Sequence, residues 1–181
     1  MNADNQQERL QITEQFKWFL AGFIEGEGSL CVSLKEHPTA KFGYFIDPEF
    51  FIYQHKSARE LLERAKEFFG TGRIYPKPGN EDVLVYAIAS RRSIIEKVIP
   101  FIERYMKYGS RIKKENFQMF KEVTLALERK EHNNLEGVLR IVDLVYSTNH
   151  AGKQRKRSKE MVIGRILRDY TPNSGSNLEK I

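Results

Sequence analysis

Apolar residues recur at helical spacing from Phe16 to Ile24, with Phe19, Leu20 and Phe23 among them, which predicts a helix with one buried face. At Ser29 the period drops to two. Leu30, Val32 and Leu34 alternate with Ser29, Cys31, Ser33 and Lys35, the signature of a strand with one apolar and one polar side. A loop from His37 to Gly43 leads to a second strand, Tyr44 to His55, expected to break at Asp47-Pro48 because proline cannot serve a central ladder. Helical spacing returns from Ser57 to Phe68, with Leu61, Leu62, Ala65, Phe68 and Phe69 as the buried stripe. Ser57 and Glu60 form a capping box, and Gly70-Thr71-Gly72 stops the helix. Strands over 73–77 and 83–89 flank a Pro78-Gly79-Asn80 turn. Helices follow: one opened by Ser90 and interrupted at Pro100, then 113–130, 135–147 and a short 158–170.

A helix followed by two strands, repeated, is an α+β pattern. Four such strands make one antiparallel sheet with helices on the apolar face and the polar face bare. The core is placed at 1–148. A basic extension, 149–181, follows, with five cations and no acid between His150 and Lys159, a short helix and a polar tail. With 181 residues, 40% apolar and 12% aromatic, the chain has material for one folded domain. Thirty basic residues against twenty-four acidic ones leave a charge of +6, which favours a polyanionic partner such as nucleic acid. The lone Cys31 excludes an internal disulfide and a cysteine zinc site. No apolar run is long enough to span a bilayer, and residues 1–11 carry neither a secretory nor a transit pattern. The expectation is a soluble intracellular protein of a prokaryotic cytoplasm or an organelle interior, with no membrane partner.

The stretch from Leu20 to Gly28 holds the most information. Gly22 and Gly26 lie four apart beside Ala21, and small side chains on one stripe let a second helix approach closely. Each helical glycine costs about 1 kcal/mol relative to alanine, so the pair calls for a reason. Glu27 stands where the chain leaves the helix, and a carboxylate at that negative end is unfavourable without a cation nearby. Leu20-Ala21-Gly22-Phe23-Ile24-Glu25-Gly26-Glu27-Gly28 resembles the LAGLIDADG motif of homing endonucleases and their intron-maturase relatives, with glutamate in place of both aspartates. The resemblance implies the αββαββα architecture, with a curved four-stranded sheet that binds DNA, followed here by C-terminal helices. A β-ribbon of that kind fits the DNA major groove.

Hydrolysis of a phosphodiester needs its charge offset and a water made nucleophilic, and a divalent cation with oxygen ligands does both. The resemblance implies Mg²⁺ on the Glu27 carboxylate and the Gly26 carbonyl, Mn²⁺ as a substitute, and Ca²⁺ occupying the site without efficient turnover. It gives Gln54 the task of positioning the attacking water and puts Lys113 beside the scissile phosphate, with Lys114 as fallback. Glu25 takes the motif's second acidic position, which is more often structural. Ala58 stands where a further basic residue is expected, leaving Lys56 or Arg59 to compensate. One motif per chain implies a homodimer through Leu20, Ala21, Gly22, Phe23 and Gly26. The dimer would cut both strands of a pseudopalindromic duplex site and leave 3′ overhangs. Ser33, Lys35, Lys41, Arg73, Tyr75 and Lys77 are the candidate DNA contacts, and Lys153 and Arg155 would add contacts to phosphates. The four histidines lack metal-ligand spacing. Two other functions use the same scaffold: an RNA maturase acting on its host intron, and a noncatalytic dimeric DNA-binding regulator.

Overall fold

The computed structural model describes residues 3–148 and 157–169, with side chains over 14–148 and 157–168. A long helix α1 (Ala3–Glu27) hands over directly to strand β1 (Gly28–Glu36). The junction depends on Gly28, where a Cβ would lie 2.5 Å from the carbonyl oxygen of Ile24. β2 (Tyr44–His55), α2 (Arg59–Phe69), β3 (Arg73–Lys77) and β4 (Asn80–Ile88) follow, so the expected αββαββα order is observed. The last α is a composite of α3 (Arg91–Ser93), a π-helical turn (Ile94–Val98) and α4 (Ile99–Tyr105). The wide turn directly precedes Pro100, whose ring cannot fit an unbroken α-helical ladder. Three further helices, α5 (Arg111–Glu128), α6 (Leu135–Ser147) and α7 (Lys159–Asp169), complete the described chain.

All four strands are antiparallel in the order β1-β2-β4-β3. β2 is continuous through Asp47-Pro48, contrary to the expected break. The reason lies in the register: β4 pairs only with Phe50 to His55, whereas residues 44–48 pair with β1 alone. Pro48 therefore sits where β2 has a free edge and needs no second ladder. The capping box at Ser57 is also absent. His55 holds the start of the helix instead, its Nδ1 accepting the Ser57 N–H at 3.2 Å, and a 3₁₀ turn (Lys56–Ala58) precedes α2. At the other end Gly70 adopts φ +59 and its N–H donates to the carbonyls of Lys66 and Glu67, the left-handed cap that glycine makes inexpensive.

The main core lies between the sheet and α1, α2, α4 and α5, with Leu20, Ile24, Phe50, Ile52, Leu62, Tyr86, Ile88, Val98 and Phe120 fully buried. A satellite core at the far end of the β1–β2 hairpin joins Phe42 and Tyr44 to Val138 and Val142 of α6 and Val162 and Ile166 of α7. There Glu36 Oε1 pairs with Arg157 and Arg165, each at 2.9 Å. Among the described residues no helix is long and apolar enough to cross a membrane. Phe50 sits where β2 meets β1 and β4 together, opposite Leu30 and Ile88. Phe50→Ala is expected to lower the unfolding free energy by about 3–5 kcal/mol, the cost of emptying an aromatic core position, read from urea denaturation.

Candidate active site where the motif helix meets the sheet

The end of α1, the start of β1 and the first turn of α5 converge on one corner. Ser110 caps α5, its Oγ accepting the Lys113 N–H at 3.3 Å, and its own N–H donates to Glu25 Oε1 at 3.0 Å. A carboxylate from one helix thus satisfies the positive end of another. The second oxygen, Oε2, is buried without a hydrogen-bond partner, packed where a Cβ on Gly109 would come within 2.8 Å. Lys113, one turn into α5, reaches back so that Nζ donates to the Gly28 carbonyl at 2.6 Å. Burial pushes its ammonium below the ordinary lysine range, while the charges of Glu25 and Glu27 pull in the opposite direction. Glu27 itself is exposed at the tip. Lys114 is exposed on the same turn and lines, with Glu25 and Lys113, a cavity of 290 Å³.

Gln54 lies at the same end of the sheet, because β1 pairs Gly28 with Ile52 and Gln54 stands two residues further along. Its Oε1 accepts the His55 N–H at 2.8 Å. The two cations considered as substitutes near Ala58 are engaged elsewhere: Lys56 pairs with Asp82 at 2.6 Å and Arg59 with Glu63 at 2.7 Å.

The uncovered face of the sheet carries Ser33 and Lys35 from β1 and Arg73, Tyr75 and Lys77 from β3. Arg73 lies over the Tyr75 ring at 5.3 Å and Lys77 over Tyr53 at 5.4 Å. The same face also bears Asp47 and Glu49, which were not among the sequence candidates, although their alternation with Ile46 and Phe50 was readable there. Lys35 Nζ stands 3.0 Å from Asp47 Oδ2 and 3.6 Å from Glu49 Oε2. Lys41 is not on this face: it donates to the Asn133 carbonyl at 2.7 Å, tying the β1–β2 loop to the turn before α6. Lys153 and Arg155 lie outside the described residues.

The candidate helix interface needs correction. Leu20 and Ala21 turn inward, 1% and 5% exposed, because the core under α1 claims them. The outward stripe is Phe19, Gly22, Phe23 and Gly26, flanked by Trp18; Phe19 is 51% exposed and stacks on Phe23 with ring centroids 6.0 Å apart. Nothing lies within 4 Å of where a Cβ would stand on Gly22 or Gly26, so packing inside this chain does not explain either glycine.

A sequence profile described as LAGLIDADG endonuclease matches residues 20–124. The chain belongs to that family. It is 38% identical over 154 residues to the DNA endonuclease I-CeuI of Chlamydomonas moewusii, a match covering 84% of this chain and 70% of that protein. The structure of I-CeuI complexed with DNA superposes with a TM-score of 0.78 at 35% identity, over 83% of this chain and 75% of that one. The archaeal intron-encoded homing endonuclease I-Vdi141I, also complexed with DNA, gives 0.77 at 34% identity, over 86% and 98% of the two chains. I-SmaMI bound to an uncleaved DNA target with calcium ions gives 0.67 at 30% identity, over 74% of this chain and 44% of that one.

In this LAGLIDADG chain the motif's two acids separate cleanly: Glu25 is spent on the α5 cap, and Glu27 is free to face a ligand. Lys113 is the basic group that the fold delivers to Glu27, through a contact spanning 85 residues of sequence. Because burial lowers its pKa while Glu27 raises it, neutralising Glu27 must lower it further. The Lys113 ammonium is expected to titrate below the other lysines in side-chain ¹⁵N NMR, and lower again in Glu27→Gln. An unchanged titration in that variant would mean that the two charges do not interact.

Proposed function

We propose that this chain acts as a homodimeric, site-specific homing endonuclease that hydrolyses both strands of a pseudopalindromic duplex and leaves 3′ overhangs. The observation that carries the reading is the corner itself: an exposed carboxylate at the motif tip and a half-buried ammonium on the adjoining carbonyl. The relatives support it, being DNA endonucleases by name and solved on DNA.

The donor set at the tip, the Glu27 carboxylate and the Gly26 carbonyl, is all oxygen and suits a hard cation such as Mg²⁺. Among the described residues no group of three or more His, Cys, Asp or Glu side chains could hold a metal. One protomer therefore offers few ligands, which fits an ion that keeps waters and takes oxygens from phosphate. When bound, such an ion offsets phosphate charge and acidifies water. Around it, the Lys113 ammonium faces the charge that develops on the phosphate, and the Gln54 amide orients the incoming water. Arg73, Tyr75 and Lys77 meet the groove from the open sheet face. Two copies paired through Gly22 and Gly26 place one such corner at each strand.

Glu27→Gln is expected to bind its duplex as a dimer yet cleave at least about a hundredfold more slowly, the scale for losing a group that stabilises developing charge. Cleavage of a plasmid bearing the intron-free host site, with Mg²⁺ or with EDTA, tests this. Undiminished cutting by the variant would remove Glu27 from the chemistry. Gly22→Leu should change two properties in opposite directions. Leucine restores helix propensity and meets open space within the protomer, so the protomer gains about 0.5–1 kcal/mol. Association weakens at least about tenfold by analytical ultracentrifugation because the partner helix can no longer approach.

A further inference from the structure

Two carboxylates on the open sheet face call for an explanation. Asp47 and Glu49 stand opposite Ser33 and Cys31 in the β1–β2 register, on the same face as Lys35, which lies diagonally from Asp47. One ammonium between two carboxylates leaves this patch acidic, on a surface that otherwise carries Arg73 and Lys77. An exposed ion pair by itself stabilises a fold by 0 to about 1 kcal/mol, so stability gives little reason to keep the second acid. Against a phosphate backbone the pair of acids is repulsive. In the major groove, however, a carboxylate has a partner, because cytosine presents its N4 amino group there and adenine its N6.

Side-chain geometry narrows the choice. Lys35 Nζ is 3.0 Å from Asp47 Oδ2, so a donor and an acceptor stand side by side at hydrogen-bond spacing. Both side chains are accessible, at 55% and 42%, whereas Glu49 is 18% accessible and sits behind them, 3.6 Å from the same ammonium. A G·C pair displays two adjacent acceptors, guanine N7 and O6, followed by the cytosine amino donor. An ammonium with several donors next to a carboxylate complements that row. In A·T the adenine amino group separates the two acceptors, so an ammonium beside the carboxylate reaches only one of them. Resting on the DNA-endonuclease reading above, we propose that Lys35 and Asp47, backed by Glu49, read one G·C base pair in each half-site. Lys35 donates to guanine, and Asp47 accepts from the cytosine amino group. Glu49 holds the ammonium in place when Asp47 turns to the base.

The test is selection of bound duplexes from a randomised library by the full chain in Ca²⁺, comparing wild type with Lys35→Met and with the double variant Asp47→Ala/Glu49→Ala. Wild type is expected to select a symmetric site with G·C favoured at least about tenfold at one position per half. Each variant should lose that preference at that position alone. The double variant, having shed two negative charges, should also bind unrelated duplex more tightly, whereas a loss of preference confined to one position is what a merely structural role would not produce. Unchanged selectivity in the variants, relaxation at all positions together, or an A·T preference at the affected position would overturn the assignment. A wild type that enriches no sequence would overturn the underlying DNA reading, and the base-pair reader with it.

Discussion

Two hydrogen bonds hold the working corner together, and the remaining architecture is arranged so that both can form. One runs from the Ser110 N–H to Glu25, the other from Lys113 Nζ to the Gly28 carbonyl. Together they fasten the first turn of α5 to the point where α1 becomes β1. Neither is strong alone, since an intramolecular hydrogen bond is worth about 1 kcal/mol net, or about 1.5–3 when one partner is charged. Their value is positional. They fix an ammonium beside an exposed acid even though a sheet, three helices and a π-helical turn intervene in the chain. The core under α1 does the heavier energetic work, and it leaves Glu27 and the two glycines facing out.

Local signals were legible wherever a residue's role depends on its near neighbours. Alternation over Leu30 to Lys35 gave β1, and the glycines after Phe69 gave the end of α2. Failures came where another part of the chain decides the outcome. Pro48 reads as a breaker until the register shows that β4 never reaches it. Phe16 to Ile24 is apolar nearly all round, so spacing alone could not tell the side that packs on this chain's own core from the side left open. Phe19 was therefore placed on the buried face although it points outward, and Leu20, buried as its spacing implied, was also assigned to the interface. His55 carried no motif, yet its ring accepts the Ser57 N–H that Glu60 was expected to satisfy. The pairing of Lys113 with Gly28 has no local signature: the family resemblance drew attention to Lys113, but only the structure shows the bond to Gly28.

Electrostatics on the open sheet are more mixed than a charge of +6 suggests. Lys35 is held by two carboxylates, Lys41 turns away to a backbone carbonyl, and Arg73 and Lys77 lie over tyrosine rings. A face built this way attracts a polyanion less strongly at long range than a bare basic surface.

The free edge beside Pro48 has a consequence for how this scaffold can change over evolutionary time. From Tyr44 to Pro48 the β1–β2 hairpin is a cantilever: it borrows no backbone bonds from β4 and rests on its own apolar prop, shared by α6 and α7. Lengthening, shortening or re-angling that arm leaves the central ladder and the motif corner untouched. The outer reach of the molecule can therefore drift while the motif corner stays as it is.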